Sequence, residues 1–158
     1  MTATAPYILN SGDTAVIGYG ATGNYQMLPA SDARVVAYLA AQAAAQTINA
    51  AVAAAITGGI NLTSAGTPSL NGNYSCGQSS VANVNAVMTY ILANPGTFPG
   101  SGSTINWYDS SGTAHTFPNT ATFQNFAAAF AGYVAAVQEY ALSGGTSGPL
   151  PSPNISIP

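Results

Sequence analysis

The fold is decided by residues 104–142, which read TINWYDSSGTAHTFPNTATFQNFAAAFAGYVAAVQEYAL. Two short runs rich in β-branched and aromatic residues, 104–108 and 113–117, flank the turn residues 109–112, and this arrangement predicts a β-hairpin. Thr120 is the predicted N-cap of a following helix, and Gly144-Gly145 favours a left-handed stop. Apolar residues at helical spacing form the predicted buried face: Phe123, Phe126, Ala127, Phe130, Tyr133, Val134, Val137 and Tyr140.

The segment before this stretch predicts the same pair of elements once more. Asn71-Gly72 lies between two extended runs, and Asn-Gly is the strongest short signal for a type I′ hairpin turn. A helix capped by Ser79 or Ser80 is expected next, ending at Asn94-Pro95-Gly96, with Val81, Val84, Val87, Met88, Ile91 and Leu92 on one side. The order hairpin, helix, hairpin, helix over residues 60–145 predicts a small α+β domain.

Several of these motifs resemble a known module. They are residues 105–109, Gly112, residues 115–118, Thr120, Phe123, the stripe from Phe126 to Val137 with Tyr133-Val134-Ala135 in it, and residues 80–86. Over about residues 64–142 the chain resembles the small domain of unknown function that recurs, usually near the C-terminus, in bacteriophage tail fibre and other tail proteins. The resemblance implies a virion tail component made in the cytoplasm of a bacterial host, and it carries over no catalytic residue.

An alanine-rich segment precedes this domain. Residues 35–60 contain no charge, and Ser31 or Asp32 as cap with Gly58-Gly59 as stop predicts a helix over about residues 31–59. Alternating spacings of three and four residues, the period of a coiled-coil seam, connect Tyr38, Ala41, Ala45, Ile48, Val52 and Ala55.

Three interpretations of this helix stay open. It packs on its own domain, it associates with other copies through the seam, or it spans a membrane. The membrane interpretation is disfavoured because most of the apolar residues are alanine and because Gln42, Gln46, Thr47 and Asn49 interrupt the run. We therefore expect an oligomer seam and no membrane span.

The two ends of the chain have a different character. In the N-terminal arm, residues 1–30, two strand-like runs at 7–10 and 14–19 flank Ser11-Gly12-Asp13, and residues 20–29 are expected to form a loop. Residues 146–158 contain four prolines and are predicted to form an extended tail. Both ends are expected to reach neighbouring molecules.

Composition excludes several functions. Only four acidic residues and one arginine occur among 158 residues, a charged fraction of 3% against roughly 25% in average soluble domains. Arg34 alone cannot neutralise a phosphate backbone, so nucleic-acid binding is excluded. One histidine and one cysteine supply no metal-ligand cluster, and neither a metal nor a cofactor is expected. Hydrophobic residues make up 47% of the chain, which is ample for a core.

Candidate chemistry is sparse. Asp109 and His115 can approach each other across the second hairpin, but an aspartate that opens a turn normally bonds its own backbone, and no third partner is evident. Asp13, Asp32 and Glu139 are too scattered to indicate a glycosidase pair. Trp107 and Tyr108 are candidate glycan contacts, whereas the alternative places Trp107 in the core against Phe126 and Phe130.

Composition and spacing predict a non-enzymatic assembly protein with few charges, and the resemblance implies that it is a structural virion protein of a tailed phage. A surface with few charges suits a chain covered by copies of itself, as a trimer or other homo-oligomer, and by neighbouring virion proteins. A capsid decoration protein is one alternative, because such proteins are also small and have extended arms. A glycan-binding receptor-recognition module is the other, with Trp107 and Tyr108 as its contacts.

Overall fold

A computed structural model describes the strands Tyr7–Asn10 and Val16–Ile17 and all residues from 25 to 158, with side chains from Leu28 onward. The chain divides into two compact units, Met1–Thr47 and Ile48–Pro158, with the boundary inside the longest helix. Helices and small sheets occur together, so the predicted α+β class is confirmed. The predicted segment boundaries at residues 30, 59 and 145 stay predictions.

The first unit contains a three-stranded antiparallel sheet. Strands β1 (Tyr7–Asn10), β2 (Val16–Ile17) and β3 (Tyr25–Leu28) lie in the order β2-β1-β3. The prediction of a loop over residues 20–29 is wrong for β3, which pairs with β1 from Tyr7 opposite Leu28 to Asn10 opposite Tyr25. A run of four residues is too short for its hydrophobic periodicity to indicate a strand. β3 forms because it pairs with the second edge of β1, which the local sequence does not show. The predicted turn at residues 11–13 lies outside the described residues.

Helix α1 (Ala33–Gly58) begins and ends at the expected signals. The Asp32 carboxylate accepts the backbone N–H of Arg34 at 2.9 Å, which satisfies one of the free donors at the helix N-terminus. At the other end Gly59 takes a φ of 70°, the left-handed conformation that stops a helix. The two-glycine stop is confirmed.

The second unit is built on a mixed three-stranded sheet. Strands β4 (Ile60–Ser64), β5 (Gly72–Tyr74) and β8 (Asn154–Ile157) lie in the order β5-β4-β8, with β5 antiparallel and β8 parallel to β4. The sequence did not predict β8, because its partner strand is 90 residues away. Part of the predicted tail is therefore extended but paired inside its own chain, and a reach to neighbours stays a prediction for residues 146–153.

The predicted type I′ turn at Asn71-Gly72 is wrong. Asn71 has a φ of −62°, outside the left-handed region that such a turn requires. The connection from β4 to β5 instead contains a 3-10 turn at Pro68–Leu70, and the Asn71 side-chain oxygen accepts the backbone N–H of Ser64 at 2.7 Å. Side-chain capping of this loop replaces the tight turn, and Gly72 becomes the first residue of β5.

The remaining elements follow the predicted order. They are α2 (Gln78–Ala93), the antiparallel pair β6 (Ile105–Tyr108) and β7 (Ala114–Phe117), and α3 (Thr120–Leu142). Two predicted caps are wrong: α2 is preceded by Gly77 without a side-chain cap, and α3 is capped by Asn119, whose side chain accepts the N–H of Thr122 at 2.9 Å. Asn119 follows Pro118, and that extended position suits an N-cap better than Thr120 inside the first turn.

The core of the second unit is aromatic. Phe126 of α3 is fully buried and lies within 5.7 Å, between ring centroids, of Tyr74, Phe117, Phe123 and Phe130. The core also takes Ile60 and Leu62 from β4, Val84 and Ile91 from α2, and Ile157 from β8. Every element of this unit thus contributes to one cluster, which holds the second hairpin and α2 in place beside each other.

Candidate functional site

Asp109 organises the turn of the second hairpin. Its Oδ1 accepts the backbone N–H groups of Ser111 and Thr113, both at 2.9 Å, and the Ser111 hydroxyl at 2.6 Å. The Ser111 hydroxyl bond, a bond from His115 and the two backbone bonds hold the pKa of the Asp109 carboxyl well below its ordinary value of 3.8. The expectation that this aspartate bonds its own turn is confirmed.

His115 connects the hairpin to the 3-10 turn. Its Nδ1 donates to the carbonyl oxygen of Ser69 at 2.7 Å, because a carbonyl oxygen can only accept. Its Nε2 lies 3.2 Å from Oδ2 of Asp109, so each ring nitrogen has a polar partner. His115 is buried and its ring lies 5.5 Å from that of Tyr74. Both ring nitrogens are occupied by structural partners, so the pair holds two loops together and offers no free base.

Three further ionisable groups, Cys76, Tyr74 and Asp32, are held in neutral or paired states. Burial raises the pKa of the Cys76 thiol to about 11, which keeps it a thiol near pH 7. Burial, with a smaller effect of Asp109, raises the pKa of Tyr74, whose hydroxyl donates to the Leu70 carbonyl at 2.7 Å. At the start of α1, the Arg34 guanidinium lowers the pKa of Asp32 to about 2. Among the described residues no group of three metal-ligating side chains occurs.

A groove of about 390 Å³ lies between α2 and β6. None of its lining side chains is charged, and the groove combines aromatic, amide and small residues: Ser80, Asn83, Ala86 and Val87 from α2 with Asn106, Trp107 and Tyr108 from β6. The Asn106 side-chain oxygen accepts the Thr116 hydroxyl at 2.7 Å, which fixes this amide at the edge of the groove. The arrangement suits an uncharged ligand with hydrogen-bonding groups.

The structure separates the two candidate glycan residues. Trp107 is half-buried and packs edge-to-face on Phe123 at 5.3 Å and on Phe126 at 6.4 Å, whereas Tyr108 is 64% exposed. Of the two expected neighbours of Trp107 in the core, Phe126 is present, and Phe123 takes the place of Phe130. Both candidates line the groove, so glycan contact stays a prediction.

Sequence reasoning missed the rest of the groove. The sequence predicts Ser80 as a cap and places Asn83 and Asn106 in motifs of a family, because no local signal shows that α2 lies beside β6. Only the shared packing of both elements on α3 brings these side chains together.

The six predicted seam residues have different environments along α1. Tyr38 packs on Leu28 and Val35 in the first unit. Ala41 and Ala45 are exposed, and Ile48 is half-buried. Val52 and Ala55 pack against the core of the second unit, and the Ala55 carbonyl accepts the Tyr133 hydroxyl at 3.4 Å. The seam is therefore covered by the chain at its two ends and open in its middle.

Helix α1 is apolar over most of its exposed surface. Of its 26 residues only Val35 is buried, and Val36 and Leu39 are 53% and 40% exposed. By length and composition alone it is, among the described residues, a helix that could cross a membrane, with a mean hydropathy of 1.3 over its most apolar window. Either a protein neighbour or a lipid phase would remove this surface from water.

Comparison with known families locates the conserved module in the chain. Residues 39–142 match the family of a domain of unknown function, DUF4376. The match begins inside α1 and ends at the last residue of α3, so it starts well before residue 64, where the resemblance was placed from the sequence. Among curated proteins and among solved structures, none matches the chain.

Proposed function

Because the chain belongs to the DUF4376 family, whose function is unknown, we propose from its own residues that it is a non-enzymatic structural protein of a tailed-phage virion. In this role it is a tail or tail-fibre component that binds copies of itself and neighbouring virion proteins. The exposed middle of α1 carries the proposal, since Ala41 and Ala45 leave room for close approach of a second helix.

The distribution of apolar groups around α1 supports association with more than one neighbour. At about 100° per residue, Val36 and Leu39 lie roughly opposite the seam, so a single partner on the seam leaves them in water. Apolar side chains on two opposite sides of a helix indicate a neighbour on each of those sides. A homo-oligomeric bundle of α1 helices, such as a trimer, covers both surfaces with copies of one chain.

The charge content supports the same role. Five charged residues in 158 give a soluble monomer little electrostatic repulsion, and two of the five, Asp32 and Arg34, neutralise each other at 2.8 Å. Burial of most of the surface in an assembly removes the need for charges. The chain has no lysine, which is unusual for a surface that meets water alone.

A structural role also agrees with the chemistry of the second unit. Both ring nitrogens of His115 are engaged, and Cys76 is a buried thiol, so the groups that most often act as base and nucleophile are occupied or inaccessible. The virion setting rests on the resemblance of residues 64–142 to phage tail modules. A capsid decoration protein is the alternative, and the copy number per particle distinguishes the two.

Sedimentation of the full chain tests the proposed association. We expect a homo-oligomer for the unmodified protein and a monomer for the double variant Ala41→Glu with Ala45→Glu, because buried carboxylates on facing helices repel and lose their hydration. The double variant Gln46→Glu with Asn49→Glu adds the same charge on the polar side of α1 and should keep the oligomer. A monomeric unmodified protein at high concentration would refute the seam.

A separate experiment tests the alternative that α1 spans a membrane. Alanine gains little on transfer to lipid, and the three amide side chains in the middle of α1 oppose insertion. In flotation with phosphatidylcholine vesicles, we expect the full chain to stay with the soluble fraction. Flotation with the vesicles, abolished by the Ala41→Glu and Ala45→Glu double variant, would replace the oligomer seam by a membrane contact.

A further inference from the structure

β6 has one edge without a strand partner. In the described part of the chain it pairs with β7 alone. The Asp109 N–H donates to the Thr113 carbonyl at 3.0 Å, which makes 109 and 113 a hydrogen-bonded pair. Hydrogen-bonded and non-bonded pairs alternate along an antiparallel ladder, so Trp107 and His115 form the next bonded pair. The β6 residues that alternate with these bonded residues direct their N–H and C=O groups to the opposite edge of the strand, away from β7.

Asn106 and Tyr108 are the alternating residues that face away from β7, so their N–H and C=O groups lie on the outer edge of β6. Within residues 28–158 these backbone groups have no hydrogen-bond partner. Both residues also line the groove beside α2. Backbone donors and acceptors in a groove are normally satisfied by another backbone, by side chains or by water.

This edge lacks the features that usually prevent strand pairing. Proteins protect edge strands with lysine, proline, a bulge or a covering element. The outer edge of β7 is covered by the 3-10 turn, through the His115–Ser69 bond, and β8 lies between Pro153 and Pro158. β6 itself, with the sequence INWY, contains neither lysine nor proline.

We propose that the edge of β6 binds an extended, uncharged peptide segment of another protein chain, which adds to β6 as a third strand in the groove beside α2. Asn106 and Tyr108 are two residues apart, so their outward groups repeat at about 6.8 Å, the two-residue repeat of an antiparallel strand. Strand addition of this kind obtains affinity from main-chain bonds and specificity from the groove walls.

The walls determine which segment fits. Val87 on α2 and Trp107 on β6 offer apolar contact, while Asn83 offers an amide that bonds a hydroxyl or a peptide group. A charged side chain finds no counter-charge among the groove residues and loses hydration there. The expected ligand has small or hydroxyl-bearing side chains that alternate with β-branched ones. A saccharide lacks the regular donor and acceptor repeat that the β6 edge presents.

Peptide titration of the full chain tests this inference, because Trp107 is the only tryptophan and lines the groove. The probe is a blocked pentapeptide of alternating threonine and valine. We expect a saturable change in tryptophan fluorescence. The same peptide with an N-methyl group on every residue keeps its side chains but loses the main-chain donors on both of its edges, and its affinity should be at least tenfold lower.

Two variants at one position separate the backbone from the side chain. Asn106→Pro removes the outward N–H and is tolerated in principle, because proline fits an edge strand when its nitrogen faces away from the sheet. We expect it to lower peptide affinity at least tenfold. Asn106→Ala keeps the N–H and removes only the side chain, so it should lose much less affinity than Asn106→Pro. If Asn106→Pro does not fold, the N-methylated peptide on the unmodified protein decides the question.

Other outcomes would overturn the inference. Equal binding of the methylated and unmethylated peptides would exclude main-chain pairing, and so would an absence of saturable binding. A fluorescence change with maltohexaose but not with the peptide would assign the groove to a saccharide. Sedimentation tests association through α1, whereas the titration tests peptide binding at β6. The titration can therefore be interpreted even if the oligomer proposal fails.

Discussion

At the scale of single residues, a few polar side chains determine how loops join the core. Asp109 closes the turn of the second hairpin, and His115 bridges that turn to the carbonyl of Ser69, which is 46 residues away. The Asn71 side chain closes the first loop in the same way. In a chain with so few charges, the carboxylate of Asp109 and the imidazole of His115 thus fix the positions of two loops around the aromatic core.

The decrease in the free energy of unfolding at low pH should depend on Asp109. Its folded pKa lies below 3.8, so its contribution is complete above that pH and is lost as pH falls through the folded value. We expect Asp109→Asn to lower the free energy of unfolding at pH 7 and to reduce its decline below about pH 4. Asp32 titrates in the same window but is unchanged in both proteins, so its effect cancels.

The measurement is urea unfolding between pH 7 and pH 2, followed by the fluorescence of Trp107. Glu139→Gln is the control, because it removes an exposed carboxylate without any hydrogen-bond partner among the described residues. An acid decline of equal size in Asp109→Asn and in the unmodified protein would show that this carboxylate does not hold the turn.

At the scale of elements, helix ends are where local sequence acts most directly. The stop of α1 depends on Gly59, which has a φ of 70° and lies against the carbonyl oxygen of Tyr74, so any Cβ there collides with backbone. Gly58, one residue earlier, has open space around the position of a Cβ. The two adjacent glycines therefore have different physical reasons for being glycine.

Alanine at each position should give opposite results. Gly59→Ala should lower the free energy of unfolding by at least about 1–2 kcal/mol, from the left-handed backbone alone, with the collision added. Gly58→Ala should be neutral or raise it by up to about 1 kcal/mol, because alanine favours the helix. Thermal unfolding of both variants checks this. Equal destabilisation by the two would contradict the assigned role of Gly59.

At the scale of the whole molecule, the second unit is closed by pairing between its two ends. β8 lies parallel to β4, with Ile157 opposite Ser64, and Ile157 is buried in the same core as the aromatic residues of α3. The end of the chain therefore belongs to the cooperative structure of this unit.

Ile157→Ala should lower the free energy of unfolding by about 2–5 kcal/mol, as expected for a large-to-small change in a core. Ser156→Ala, on the exposed side of the same strand, should stay within about 0.5 kcal/mol. Urea unfolding followed at Trp107 tests both, since Trp107 lies on β6, in a different sheet from β8, and reports whether the unit unfolds as one. A Trp107 transition that Ile157→Ala leaves unmoved would mean that β8 is detached from the core.

The sequence alone determined the local features: the three helices, the second hairpin, the glycine stops and the aromatic face of α3. These depend on spacing and on residues within a few positions of each other, so short-range physics is enough to show them. It also indicated Asp109 as a turn residue, and its low charge content predicts that the chain does not bind nucleic acid.

Which distant segments meet is visible only in the three-dimensional arrangement of the chain. The parallel partner of β4, the contact of His115 with Ser69 and the groove between α2 and β6 each join residues that no local pattern relates. The open edge of β6 was likewise invisible, because a strand sequence does not show which of its edges is occupied. In each case burial on the shared aromatic core selects the pairing, since the hydrophobic effect depends on which surfaces are covered and not on their order in the chain.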